Sequence, residues 1–400
     1  MDDRKHDLHA EVRERLARLD RELCAIWNLG DNVLLAWTRA GDDLLFLAVR
    51  HYAIPESVHA GDGARSRQGE ALRFINDLVS GPKRLRLDEF DRACRAFDCE
   101  PTRIRADLPL EDDRVALSVS DMVRVYGVSL VRDRAVILLD AVQFSLQPPL
   151  EQMSMLNSLA YSVNSAHAQL LSKNIRIEFA RTTTGDGFYI WNRARTADSN
   201  TELYKLLMML LADNAVARSK ARSSWVPKLR AAFHVGEHYE FHQVEGLNPT
   251  NFSYIVGQVT VDLARMVQRA LPGQILLGDF QTSMGDGAAG APLQRDTIDF
   301  VDDTAATLDQ LAGLEISGGR ISSIRCYLTG RRLEGGGHYI HRYHLRDKHG
   351  STRRVYNAKI NIHREGVEPI YLGIQNEDLA NFDAELEALR REPAAGALTP

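Results

Sequence analysis

Two aspartates are the residues of this chain best suited to metal-assisted chemistry. Asp140 closes the apolar run Arg134-Ala-Val-Ile-Leu-Leu-Asp140, and Asp186 lies inside Thr184-Gly-Asp-Gly187. Each stands at the end of a short strand-like segment, and as a pair they read as a carboxylate site for two divalent ions. Such a pair serves substitution at a polyphosphate, where cations held by carboxylates activate an attacking oxygen and neutralise the departing phosphates. Taken singly, Asp140 also fits a plain strand end. Asp186 also fits a plain turn, where Asp is favoured for its local hydrogen bonds.

Composition sets the frame around them. With 400 residues there is room for two or three domains, 26% charged and 44% hydrophobic residues are ordinary for a globular protein, and a formal charge of -5 gives no general nucleic-acid footprint. No apolar run approaches the roughly 18 residues of a membrane span, and the start Met-Asp-Asp-Arg-Lys-His opens a charged helix rather than a secretory signal. Cys24, Cys94, Cys99 and Cys326 are sparse and lack metal-type pairing, which suits a reducing compartment. The expectation is a cytoplasmic protein with neither nucleic acid nor membrane as a partner.

The elements that must position the aspartates follow from periodicity. Leu8, Val12, Leu16, Leu19, Leu23 and Ile26 lay one stripe along a charged helix, which either packs on the chain's own next helix or pairs two protomers in a short parallel coiled coil. Val33–Trp37 and Leu44–Val49 fit strands or buried helix, Gly61–Gly69 a loop, and Glu70–Leu78 and Leu87–Phe97 amphipathic helices. Residues 1–110 thus read as an N-terminal helical and mixed accessory region, ended by a linker at Pro109 and Glu111-Asp-Asp113. Beyond it the spacing predicts a strand at Ala135–Val142, a helix at Leu150–Leu171, a hairpin of Ile175–Arg181 with Gly187–Trp191, and a helix at Glu202–Leu211. A strand at Leu229–Val235, a helix at Gln258–Arg269 and a strand at Gln274–Leu277 follow. A β-α-β-β-α-β order is the ferredoxin-like arrangement, an α+β fold in which the first strand's end and the β2–β3 turn come together. Asp140 and Asp186 are therefore expected to meet.

Five blocks, Leu138-Leu-Asp140-Ala-Val-Gln-Phe144-Ser145, Thr182-Thr-Thr-Gly-Asp186, Ala232–Glu237, Tyr254-Ile-Val-Gly257 running to Leu263-Ala-Arg265, and Leu271–Leu276, resemble class III nucleotidyl cyclases in order and spacing. The resemblance covers about residues 130–280. It implies a catalytic domain over residues 130–330 and a homodimer with shared active sites that cyclises a nucleoside triphosphate. Asp140, Asp186 and the Ala141 carbonyl then hold two divalent cations, Mn²⁺ or Mg²⁺, while Arg265 stabilises charge on the reacting phosphate. Phe144 joins the substrate-binding residues. The family's ribose-orienting asparagine falls on Val261, so Thr260 or Asp262 must take that role or it is absent. For the phosphate-binding lysine only Arg331 and Arg332 offer themselves.

The base-selecting positions depart from both purine codes. Adenylate cyclases carry lysine and aspartate there, guanylate cyclases glutamate and cysteine; this chain has Thr182 and Tyr254. A tyrosine fills part of a purine's space, and a threonine hydroxyl both donates and accepts toward a pyrimidine edge; Tyr254 also fits plain packing in a sheet. With the C-terminal addition, this resembles the pyrimidine cyclases of bacterial Pycsar anti-phage systems, which implies UTP as favoured substrate, CTP next, and a cyclic-nucleotide-responsive effector downstream. Arg342–Gly350, Val355–Ile362 and Glu368–Gly373 read as strands of a β-rich extension over residues 331–390, and Glu385–Pro400 as a helix end with a flexible tail from 391.

Other readings stay open. An adenylate or guanylate cyclase, or a degenerate cyclase fold acting as a regulatory module, fits the same blocks. His234, His238 and His242 would share a helix face, yet their aromatic and Gly neighbours suit strand and turn better than zinc, and His338, His341 and His344 read as structural or surface residues. A cyclic-dinucleotide synthase would need a second acidic residue that Thr184–Phe188 lacks.

Overall fold

The computed structural model describes residues 9–59, 65–194, 196, 198–222, 225–245, 250–285, 293–316, 318–332, 338–346 and 350–391. The chain divides into two compact units, residues 1–132 with 238–256, and residues 133–237 with 257–400.

In the first unit, helix α1 (Ala10–Trp27) leads into an antiparallel sheet of β1 (Asn32–Ala40), β2 (Asp43–Arg50) and β3 (Thr102–Arg105), in the order β1-β2-β3. Between β2 and β3 come α2 (Ala53–His59), α3 (Arg65–Ser80) and α4 (Leu87–Ala96); α5 (Asp113–Val125) follows β3. Leu16, Leu19, Leu23 and Trp27 of α1 are buried with Val115, Val119 and Met122 of α5 and Leu34 and Trp37 of β1. The other sheet face, with Leu35, Leu45 and Leu47, packs on Ile75 and Val79 of α3 and Phe90 of α4.

Burial on both faces is why β1 and β2 carry apolar runs without alternation, a pattern that does not separate strand from buried helix. The α1 stripe is spent inside its own unit, which removes the coiled-coil alternative. The acidic segment expected as a linker instead caps a helix: the Asp112 carboxylate accepts the Arg114 backbone N–H at 2.9 Å, and α5 behind it completes the same core as α1. Arg65–Gly69, expected in a loop, lies in α3, while residues 60–64 of that stretch are outside the described residues.

The second unit holds β4 (Val128–Ala141) from Asp133 onward, α6 (Pro149–Ser172), β5 (Phe179–Thr183), β6 (Gly187–Asn192), α7 (Ser199–Lys220) and the start of β7 (Leu229–Glu245). The remainder of β7 and β8 (Thr250–Val256), a hairpin, cluster with the first unit. Then come α8 (Gln258–Arg269), β9 (Ile275–Gly278), the β10 (Gln281–Met284) and β11 (Leu293–Asp296) pair, and α9 (Thr297–Ala306). The strands β12 (Glu315–Ile316), β13 (Gly319–Leu328), β14 (Gly330–Arg332), β15 (His338–Arg346), β16 (Thr352–Arg364), β17 (Val367–Leu372) and β18 (Glu385–Arg391) complete it.

The main sheet runs β12-β13-β16-β9-β7-β4-β6-β5. β16 hydrogen-bonds directly to β9, from Val355 opposite Gly278 to Ala358 opposite Ile275, so the C-terminal strands continue the sheet that carries the aspartates. Met155, Leu159, Val163 and Leu170 of α6 are buried with Leu203, Leu206, Leu207 and Leu210 of α7. Tyr204 of α7 packs on Phe233 and Phe300, whose rings stack at 5.6 Å.

The expected helix end at Glu385 is a strand. Glu-Leu-Glu-Ala-Leu-Arg-Arg favours helix locally, but β15 lies alongside and supplies cross-strand partners. Glu387 meets Arg342 and His344, each at 2.8 Å, and Glu385 meets Arg346 at 3.2 Å. The tail from 392 is outside the described residues. No described helix is long and apolar enough to cross a membrane.

His234, His238 and His242 follow one another along β7, where successive four-residue steps separate side chains by about 13 Å. They cannot converge on one ion. His234 is half-buried beside Phe280, with Nδ1 unpaired and its ring pressed on Gly278. Burial pushes its imidazole down to about 4, against the opposing pull of Asp262 and Asp279.

A histidine depressed in this way titrates near 6.5 in the unfolded chain, so the unfolded state binds the extra proton between about pH 6.5 and 4. Stability should rise with pH across that window and be lost as pH falls through it, by about 3 kcal/mol at the lower end. Denaturant midpoints from pH 7 to 4 check this, with His234→Phe as reference. A wild-type slope no steeper than the variant's contradicts the assignment.

Candidate active site

Asp140 occupies the penultimate position of β4, opposite Gly187 at the start of β6. A Cβ on Gly187 would lie 1.8 Å from the Leu139 carbonyl oxygen, so only glycine permits this approach. Gly185, at φ +98°, takes the conformation that a tight hairpin asks of its first central residue. Thr184 N–H donates to the Gly187 carbonyl at 3.0 Å and Ala141 N–H to the Asp186 carbonyl at 2.9 Å. The turn is thereby stitched to the end of β4, and the two carboxylates stand side by side.

Their electrostatics reflect the crowding. Burial raises the Asp140 carboxyl above the ordinary aspartate range; Arg230 pulls against that shift and the neighbouring Asp186 adds to it. Arg230 Nε donates to Asp140 Oδ2 at 2.7 Å, and its terminal nitrogen reaches the same oxygen at 2.5 Å. Asp186 Oδ1 accepts the Thr184 hydroxyl at 3.2 Å. Two adjacent carboxylates and a strand-end carbonyl at Ala141 form an all-oxygen donor set that fits a divalent ion whose remaining positions go to water and substrate phosphates. No cluster of three or more His, Cys, Asp or Glu side chains suited to a metal occurs among the described residues.

Arg230 was not singled out by sequence reasoning. Its signal is a charged residue at the second position of a strand that opens Leu-Arg-Ala-Ala-Phe, but its partner lies 90 positions earlier. Arg230 acts as a built-in counter-ion for Asp140. Arg230→Ala should lower stability by about 2 kcal/mol and let added Mn²⁺ raise the melting temperature more than it does in the wild type, because the ion then neutralises the carboxylate pair alone. Equal Mn²⁺ stabilisation of both proteins in thermal unfolding would contradict that competition.

The other sequence-derived residues are placed as follows. Phe144 begins a 3-10 turn after β4 and packs partly buried against the core. Thr182 sits on β5 opposite Tyr189. Tyr254, on β8, stacks on Phe241 across the hairpin at 5.8 Å, the packing role open to it.

The Thr260 hydroxyl donates to the Gly257 carbonyl at 2.8 Å and closes the start of α8, while its carbonyl accepts the Tyr189 hydroxyl at 2.9 Å. Val261 is exposed. Asp262 accepts from Arg353 at 2.5 Å and Gln258 at 2.9 Å, so both proposed substitutes for the ribose asparagine are engaged within the chain. Arg265 hydrogen-bonds Gln268 on its own helix at 3.1 Å. The chain thus unites Asp140, Ala141 and Asp186, and no described hydrogen bond or ion pair joins Arg265 to them. Arg331 and Arg332 lie on β14, paired with β15.

No family model matches the chain, and no curated protein matches it. Similar solved structures include the catalytic core of a rhodopsin-guanylyl cyclase with converted specificity, bound to ATPalphaS, at 12% identity and TM-score 0.33, covering 60% of this chain and 100% of that one. The adenylyl cyclase CyaB from P. aeruginosa is similar at 11% identity and TM-score 0.33, covering 58% and 95%. The guanylate cyclase domain of RhGC from Catenaria anguillulae, with GTP, is similar at 11% and 0.33, covering 59% and 98%.

Proposed function

We propose that the chain is a class III nucleotidyl cyclase that converts a pyrimidine nucleoside triphosphate, UTP ahead of CTP, to its 3′,5′-cyclic monophosphate. The observation that carries this reading is the meeting of Asp140 and Asp186 at the end of β4 and the β5–β6 turn. The order β7-β4-β6-β5, reached through β-α-β-β-α-β connections, supports a ferredoxin-like catalytic core.

In this reading the ribose 3′-oxygen attacks the α-phosphorus, the bond to the β-phosphate oxygen breaks, pyrophosphate leaves, and the 3′-hydroxyl proton passes to solvent. Two divalent cations supply the charge neutralisation for that step. Asp140, Asp186 and the Ala141 carbonyl hold them, and Arg230 fixes the Asp140 carboxylate in place. Arg265, on the protomer opposite the aspartates it serves, braces the phosphate with its fork of donors. Phe144 and Thr260 contribute to the substrate site, and the cyclic product acts as a messenger for a separate effector in antiviral defence.

The base preference rests on Thr182 and Tyr254, which match neither purine code. A buried group left unpaired by the wrong base costs about 1–3 kcal/mol, so discrimination of tenfold or more is within reach. Measuring kcat/KM for UTP, CTP, ATP and GTP tests this, and Tyr254→Ala should raise purine turnover relative to pyrimidine. A preference for ATP or GTP overturns the pyrimidine reading and leaves an adenylate or guanylate cyclase.

The second reading, a degenerate cyclase fold that binds nucleotide as a regulatory module, is favoured by exposed Val261 and by the engagement of Thr260 and Asp262. Nucleotide binding without turnover is its signature.

A further inference from the structure

Helix α4 ends in a motif that sets two cysteines against each other. The Cys99 N–H donates to the Cys94 carbonyl at 3.0 Å and the Asp98 N–H to the Arg95 carbonyl at 3.3 Å, with Asp98 left-handed at φ +46°. Nested bonds of this kind around a left-handed residue form the Schellman ending, in which the side chains of the two residues joined by the longer bond pack together. Here both of those residues are cysteines, and both are free. A 3.0 Å hydrogen bond, one carbonyl and one N–Cα bond hold their Cα atoms within about 7 Å. The bend at the bond brings them into the range that a disulfide spans.

The surroundings give the two thiols different roles. Cys94 is buried with Leu45, Leu47 and Phe90, and burial, with Cys99 adding to it, pushes its thiol up to about 11. Cys99 is half-buried at the edge of the same core. Burial raises its thiol as well, and its S–H donates to the Ala48 carbonyl of β2 at 3.1 Å. Neither of the other cysteines shares this core: Cys24 packs on the opposite face of the sheet, and Cys326 belongs to the second unit.

We propose that Cys94 and Cys99 close a reversible disulfide by exchange with a small-molecule disulfide. Cys99, the more exposed, attacks as its thiolate; the S–S bond of the reagent breaks, one small thiol leaves, and a mixed disulfide forms at Cys99. Cys94 then loses its proton and attacks Cys99 Sγ, the mixed disulfide breaks, and the second small thiol leaves. Two electrons pass to the reagent, and the two thiol protons go to its two halves. The raised thiols make the first step slow at neutral pH, while the second has its partner already in place. Two aliphatic residues would pack at these positions as well as two cysteines do, and the sulfurs add a covalent clip between the last turn of α4 and the segment entering β3. The clip is independent of the aspartate pair and of the reaction proposed above.

The reduced full chain, freed of reductant, incubated at pH 8 with excess oxidised glutathione, alkylated and cut with trypsin, tests the proposal. Cleavage after Arg92, Arg95 and Arg103 separates the cysteines, so the bond is seen as Ala93–Arg95 linked to Ala96–Arg103, lighter than their sum by the two lost hydrogens and split by dithiothreitol. This linked pair is the expected main product. Cys94→Ala should leave Cys99 as a mixed disulfide with glutathione, and Cys24→Ser with Cys326→Ala should change nothing, with circular dichroism verifying each fold. In concentrated urea, where the helix end is lost, the ratio of linked pair to mixed disulfide should fall about tenfold. Unmodified thiols, a mixed disulfide without closure, linkage to Cys24 or Cys326, or a ratio no higher in the native chain than in urea would each overturn the proposal.

Discussion

Asp140→Ala and Asp186→Ala should each reduce turnover by about 10³-fold, equivalent to about 4 kcal/mol of lost transition-state stabilisation, in a chain that still folds. Folding survives because the turn is held by backbone. The Asp186 carbonyl, rather than its carboxylate, accepts the Ala141 N–H, and Gly187 pairs with Asp140 through the ladder. Arg230 loses its partner in Asp140→Ala but keeps 27% of its side-chain surface in solvent, so it can be rehydrated at modest cost. Asp140→Asn retains the shape and guards against misfolding. Residues that act as one unit are non-additive, so the double variant should cost little more than either single one. Steady-state rates decide the matter: more than a few per cent of activity in either single variant would mean that the pair does not hold the catalytic ions.

Mixing Asp186→Ala chains with Arg265→Ala chains should restore activity that neither has alone. Within one protomer Arg265 bonds Gln268, while the aspartates are gathered at the end of β4. In a two-fold dimer with sites built across the interface, each heterodimer carries one intact site and one site lacking both groups. A one-to-one mixture forms heterodimers half the time and should regain about a quarter of wild-type activity. Subunit exchange is verified by mass, using one tagged chain. Exchange without recovery places Arg265 and the aspartates on the same side of the site, or Arg265 outside it.

The aspartate site was legible because it is built from local signals. An apolar run closing in Asp140 and a Gly-Asp-Gly turn are written in contiguous residues, and a βαββαβ order brings them together. What escaped depends on distant partners. Arg230 becomes meaningful only when β7 lies beside β4. Glu385–Arg391 has helix-forming composition, and only the row of basic residues on β15 turns it into a strand. The stripe on α1 is apolar in the sequence itself, but periodicity does not say whether α5 or a second chain covers it. Likewise, Thr260 had the right chemistry to meet a ribose, and its cap at Gly257 depends on where α8 begins.

The central claim is cyclisation, and product mass tests it most directly. Purified chain is incubated with each of the four nucleoside triphosphates and Mn²⁺, and products are resolved by chromatography and mass spectrometry beside an Asp186→Ala control. The account predicts a cyclic monophosphate with an equimolar amount of pyrophosphate, from UTP most readily, and none from the control. Linear mono- or diphosphates alone, or no product from any of the four, would contradict it.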